Sequence, residues 1–163
     1  HPLVDILEKK GEDATLATVM DGLSKSQAEV LKLATKEKLL IVTGGPGVGK
    51  TATVTRIMKL FEENGLSVLV SAPTGRAAVR LQELSGIPAC TVHRLLGSAP
   101  GFNFSRNEED PLRCDLLVVD EFSMMDLNLT HALFKAVPSN ALVVIVGDPD
   151  QLPSVGPGNI LKV

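Results

Sequence analysis

The chain has 163 residues, 44% of them hydrophobic, and a formal net charge of −3 at pH 7. That length suits a single soluble domain with a sizeable core, and the negative charge excludes a surface that attracts polyanions through an overall basic field. Trp and Tyr are absent and five Phe are present, leaving few platforms for base stacking, while the longest apolar run, Ala141 to Val146, is far too short to span a bilayer.

Residues 1–22 read as a lead-in, the tail of a preceding domain, with Leu3, Val4, Ile6 and Leu7 able to pack as a short helix before the exposed turn Glu8 to Asp13. Residues 23–163 form the main unit. Ser24 and Gln27 have capping-box spacing, so Gln27 has a purely structural reading. It also has a functional one, since its amide can donate and accept together at an adenine edge.

Leu39 to Thr43 is a short apolar run suited to a buried parallel strand. It leads into Gly44-Gly45-Pro46-Gly47-Val48-Gly49-Lys50-Thr51, the pattern of a phosphate-binding loop. Glycines there let backbone N–H groups face phosphate oxygens, Lys50 reaches the terminal phosphates, and the Thr51 hydroxyl can ligate Mg²⁺. Val54, Ile57, Met58 and Phe61 then recur on one helix face, and Asn64-Gly65 supplies the stop. Strand, loop and helix follow in the order such a site needs, with the helix N-terminus adding partial positive charge.

Ser67 to Ala72 reads as a second strand, and Pro73 to Ala78 turns into a helix expected to bury Ala77, Leu81 and Leu84 before ending at Ser85-Gly86. Thr91 is placed to cap a short helix. His93 lies on it, with no metal or nucleophile constellation nearby and an ordinary structural role as its local reading. Gly97 to Cys114 is a long irregular loop in which Phe102 and Phe104 could line one face of a small hairpin or, at least as readily, pin the loop to the core. Cys90 and Cys114 lie far apart without paired spacing, which suggests neither a metal site nor a disulfide framework. The default is then a reducing cytoplasm.

Leu116 to Val119 is an apolar strand that delivers two adjacent carboxylates, Asp120 and Glu121, to its carboxyl end. The first can hold Mg²⁺ and the second can take a proton from a water attacking the γ-phosphate. A phosphotransferase needs the metal ligand but no base for water, so the pair tilts the reading towards hydrolysis. Asp126 caps a helix with Leu129, Ala132, Leu133 and Ala136 inward, stopped by Pro138. Ala141 to Val146 gives a fourth strand, followed by Gln151, whose amide can hold the attacking water if this strand lies between those carrying Lys50 and Asp120.

Taken together, Gln27, Gly44 to Thr51, Ala72 to Ala78, Thr91 to Leu96, Asp120-Glu121-Phe122-Ser123 and Gly147 to Gly158 make the chain resemble the first RecA-like motor domain of superfamily 1 DNA helicases. The closest branch is the RecD-like one (RecD/TraA family). The resemblance implies an α/β fold of the RecA-like P-loop NTPase type: a parallel sheet flanked by helices, in three layers, with the Gln151 strand between the Lys50 and Asp120 strands. It implies ATP and Mg²⁺ as cofactors. Gln27, Gly45, Pro46, Gly47, Val48, Gly49, Lys50, Thr51 and Ala52 would contact the nucleotide, Thr51 and Asp120 the metal, and Lys50, Glu121 and Gln151 would be catalytic.

Pro73, Thr74, Arg76, Thr91 and His93 are then expected on single-stranded DNA, chiefly at phosphates. Residues 97–114 would correspond to a strand-separating pin or its remnant. A second RecA-like domain, which supplies an arginine finger worth several orders of magnitude in rate, is expected as the partner of these residues. Alone they should bind nucleotide weakly or moderately, hydrolyse it very slowly and unwind nothing. Subunits of a helicase-nuclease complex are further partners the resemblance implies, and a membrane is not one. The alternatives are a P-loop phosphotransferase and a non-hydrolysing DNA-binding module.

Overall fold

A computed structural model of the chain describes residues 38–43, 50–99 and 103–147. Gln27, Gly45 to Gly49, Phe102 and Gln151 lie outside them, as does the expected lead-in. The element order is β1 (Leu39–Thr43), α1 (Lys50–Glu63), β2 (Val68–Ala72), α2 (Gly75–Ser85), β3 (Ala89–Thr91), α3 (Val92–Leu96), β4 (Ser98–Ala99), β5 (Asn103–Phe104), β6 (Leu116–Val119), a 3-10 turn (Phe122–Met124), α4 (Leu127–Ala136) and β7 (Leu142–Gly147).

Five strands form one parallel sheet in the order β1-β7-β6-β2-β3, and β4 and β5 pair separately as an antiparallel hairpin. Strand side chains alternate between faces, which splits the apolar residues of β6 and β7 between two cores. Leu116, Val118, Leu142, Val144 and Val146 join Val54, Ile57, Met58 and Phe61 of α1 and Leu81 of α2 on one face. Leu117, Val119, Val143 and Ile145 join Val92 and Leu96 of α3 and Leu129 and Leu133 of α4 on the other. Helices on both sides of a parallel sheet give the three-layer α/β/α architecture, in which central strands read as unbroken apolar runs because both of their faces are covered.

The helix ends follow local chemistry. Gly65, after α1, and Gly86, which closes α2, adopt φ of 73°, a left-handed conformation that glycine enters without steric cost. The Asp126 carboxylate accepts from the Leu129 N–H at 2.7 Å and caps α4 as expected. The inner face of α2 differs from the expected one. It buries Ala78, Leu81 and Ser85, whereas Ala77 is half-buried and Leu84 is 56% exposed. The phase is set by Ser85, whose hydroxyl donates to the Leu81 carbonyl at 2.7 Å and accepts from the Ile87 N–H at 3.2 Å. A polar residue satisfied in this way can take the inward position that Leu84 was expected to hold. Strand β3, ahead of the short helix, was not expected either. Three residues pairing with the edge of β2 leave too short a pattern to read.

Candidate nucleotide and DNA site

Register places the functional stretches on one rim. Ile41 pairs with Ile145, Ile145 with Val119, Val119 with Ser71 and Ser71 with Cys90, so these five residues form a level row across the sheet. One residue further along, Val42, Val146, Asp120, Ala72 and Thr91 stand at the carboxyl rim, where open α/β sheets bind ligands. β7, the strand that leads towards Gln151, lies between β1 and β6, the arrangement that a γ-phosphate sensor needs. Strands are about 4.8 Å apart, so the phosphate-loop strand and the carboxylate strand are separated by about 10 Å with β7 between them. That gap suits a metal-bound triphosphate better than a direct salt bridge.

Helix α1 begins at Lys50, so the amino end of a 14-residue helix follows the candidate phosphate loop, with Thr51 and Ala52 in its first turn. Its partial positive charge favours an anion there. Beyond β6, the Asp120 N–H donates to the Ser71 carbonyl at 2.9 Å, and the Asp120 carboxylate accepts from the Glu121 N–H at 2.8 Å. Glu121 has φ 53 and ψ 37, the single non-glycine residue with positive φ among those described. A side chain is seldom held in this region unless its surroundings enforce it. The enforcing contacts come just after it: Phe122 and Met125 are buried in the α3/α4-side core, and the Met124 N–H donates back to the Glu121 carbonyl at 3.0 Å. Adjacent carboxylates at a strand end are of the kind that Mg²⁺ uses, one or two at a time, alongside substrate phosphates.

The DNA-side candidates occupy the other half of the same rim. Thr74 caps α2, its hydroxyl oxygen accepting from the Ala77 N–H at 3.2 Å. Thr91 caps α3 in the same way, accepting from the Arg94 N–H at 3.2 Å. An accepting hydroxyl keeps its own O–H to donate elsewhere, so two capped helices present two hydroxyl donors on neighbouring strands. Pro73 is half-buried and Arg76 is exposed in the first turn of α2. His93 is exposed on α3, its ring tilted against Phe104 with centroids 6.1 Å apart. Within residues 97–114 both readings find support: β4 and β5 form a hairpin, and Phe104 packs against the α3/α4-side core and rests on the helix that carries the candidate DNA contacts. The Ser105 N–H donates to the Gly97 carbonyl and the Arg106 N–H to the Leu96 carbonyl, which ties the hairpin base to the end of α3.

Cys90 and Cys114 are free thiols. Burial pushes Cys114 up to about 11, with the Asp115 charge adding to the shift, and burial also raises Cys90 against the opposing pull of Arg94. Both are neutral at physiological pH and offer no thiolate nucleophile. Among the described residues no helix is long and apolar enough to cross a membrane, and no group of three or more His, Cys, Asp or Glu gathers as a metal cage.

Sequence reasoning missed Ser71. The one available signal was a hydroxyl inside the otherwise apolar strand Val68-Leu69-Val70-Ser71-Ala72.

Comparison with known proteins agrees with this geometry. The family model described as AAA domain matches residues 27–157. The chain is 50% identical over 137 residues to the ATP-dependent RecD2 DNA helicase of Deinococcus radiodurans, covering 84% of this chain and 19% of that protein. It is 38% identical over 162 residues to the RecBCD enzyme subunit RecD of Mycolicibacterium smegmatis, covering 84% of this chain and 29% of the relative. The crystal structure of Bacteroides Pif1 bound to ssDNA matches at a TM-score of 0.59 and 28% identity, over 82% of this chain and 33% of that one. The chain thus spans less than a third of the length of these two curated relatives. With its family match extending across the phosphate loop, the carboxylate pair and the rim between them, the chain belongs to the AAA domain family and is similar within it to the RecD-type helicases.

Proposed function

We propose that residues 23–163 are the ATP-binding and hydrolysing motor domain of a RecD-like DNA helicase, with residues 1–22 leading into it. The observation that carries this reading is the strand order β1-β7-β6, which brings the phosphate-loop strand, the Gln151 strand and the Asp120-Glu121 strand side by side at one rim. In this reading Gly45 to Ala52 cradle the phosphates of ATP, Lys50 neutralises the terminal ones, and Gln27 holds the adenine edge. Thr51 and Asp120 hold Mg²⁺, which when bound spreads the charge developing on the phosphate oxygens. The Glu121 carboxylate takes the proton from the attacking water, and the Gln151 amide orients that water.

The adjoining half of the rim grips single-stranded DNA through Pro73, Thr74, Arg76, Thr91 and His93, mainly at phosphates. The net charge of −3 fits such local contact. In this reading the complete protein moves on DNA by ATP hydrolysis in the cytoplasm, with a second RecA-like domain and helicase-nuclease subunits as partners. Relatives named as an ATP-dependent RecD2 DNA helicase and a RecBCD enzyme subunit support the use of ATP, the DNA substrate and the subunit partners. The hairpin β4–β5 is, in the same reading, the strand-separating pin or its remnant. A phosphotransferase is less favoured, because Glu121 beside Asp120 serves water rather than an acceptor hydroxyl.

The test is ATP turnover by the complete natural polypeptide that carries these residues, with and without single-stranded DNA. The reading predicts turnover that rises on adding DNA and releases inorganic phosphate. Turnover indifferent to DNA, or phosphate passed to an added acceptor, contradicts it.

A further inference from the structure

Ser71 stands out as a buried polar group that the proposed chemistry does not use. It is fully buried at 0% exposure, in the row Val119–Ser71–Cys90, on the sheet face that α3 covers. Its neighbours Ala72, Val118 and Val119 are likewise fully buried and apolar. A valine there would match strand preference and carry no desolvation cost, whereas a hydroxyl in this setting must find a partner. It does so across the strand boundary, donating from Oγ to the Val118 carbonyl at 3.3 Å. The Ser71 backbone carbonyl meanwhile accepts the Asp120 N–H at 2.9 Å. From the β2 side, Ser71 therefore holds the 118–119 and 119–120 peptide links that lead into the Asp120-Glu121 turn. On its own strand, Ala72 and Pro73 are all that separate it from Thr74, which caps α2 and opens the DNA-side loop. β2 and β6 are already paired by their backbone ladder, so the hydroxyl is not needed to join them.

We infer that Ser71 is a positioning residue that locks the carboxylate turn of β6 to the DNA-gripping loop of β2, so that DNA on one half of the rim sets the placement of Glu121 on the other. This rests on the function proposed above. The lock is mechanical: a shift of β2 at Thr74 is carried through one side-chain and one main-chain hydrogen bond to the peptide that orients Asp120. Without the hydroxyl, Ser71 is joined to β6 by the main-chain ladder alone, and the coupling of loop to turn is weakened.

The experiment compares Ser71→Ala and Ser71→Thr in the complete natural polypeptide, reading ATP turnover with and without single-stranded DNA, nucleotide affinity, DNA affinity and melting temperature. For Ser71→Ala the expected result is a loss of about threefold or more in the ratio of DNA-stimulated to basal turnover. Basal turnover and both affinities should stay close to those of the parent, and Ser71→Thr, which keeps the hydroxyl, should restore the ratio. A merely structural serine would lower the melting temperature and scale both turnover rates together. That result, or an unchanged ratio, overturns the inference. If the parent itself shows no DNA-stimulated turnover, the proposed function fails; if only the ratio in Ser71→Ala stays the same, the function stands and the lock does not.

Discussion

Glu121 illustrates how a single residue can be held against its own preference. Its φ of 53 costs a side chain about 1–2 kcal/mol relative to the right-handed region, and the buried Phe122 and Met125 keep it there. Glycine would avoid that strain but adds about 0.5–1 kcal/mol of unfolded-state entropy. Glu121→Gly is therefore expected to raise stability modestly, by on the order of 0.5–1 kcal/mol, while hydrolysis is lost. Glu121→Gln should leave the melting temperature unchanged, retain nucleotide binding and lose hydrolysis as well. Thermal denaturation together with a phosphate-release assay checks both variants; a Glu121→Gly protein that melts well below the parent would show that the left-handed turn is not strained. The paired carboxylates were legible in the sequence because charge directly after an apolar strand is rare without a purpose. The strain was not legible, since nothing in the identity of Glu121 announces a positive φ.

Helices and strands divide by how much of their length faces the core. Helix α1 was readable because Val54, Ile57, Met58 and Phe61 repeat on one face over 14 residues, and all four are buried. Strands β6 and β7 were readable because both of their faces are covered, so apolar residues run without a break. Helix α2 came out shifted in phase because a serine took an inward position through hydrogen bonds that pattern reading does not count. In the proposed reading the capping threonines serve structure and ligand together, and the two roles can be separated. Thr74→Ala should destabilise by about 1 kcal/mol through loss of the cap and also weaken single-stranded DNA binding. Thr74→Asp keeps an oxygen acceptor for the Ala77 N–H but has no donor and adds a negative charge, so it should preserve the melting temperature and still bind DNA more weakly. Denaturation curves alongside DNA titrations decide the matter; full DNA affinity in Thr74→Asp would remove Thr74 from the interface.

Across the whole molecule, one parallel sheet collects stretches that are far apart in the chain. Asp120 follows Lys50 by 70 positions, yet two strand spacings separate the strands that deliver them. Local patterns revealed each strand but not their order, because order depends on which strands pair over long separations. The expectation that β7 lies in the middle came from the resemblance to helicase motors, and the sheet bears it out. In the proposed reading the same topology puts a nucleotide half and a DNA half on one continuous rim, a physical basis for coupling hydrolysis to movement. The claim on which this rests is that Lys50 and Asp120 serve the same bound nucleotide. It is tested most directly by titrating a non-hydrolysable ATP analogue, with and without Mg²⁺, into the parent, Lys50→Ala and Asp120→Asn. The account predicts Mg²⁺-enhanced binding in the parent, a loss of about tenfold or more in Lys50→Ala, and Asp120→Asn binding that no longer responds to Mg²⁺. Undiminished Mg²⁺ enhancement in Asp120→Asn would place the carboxylate outside the nucleotide site and contradict the account.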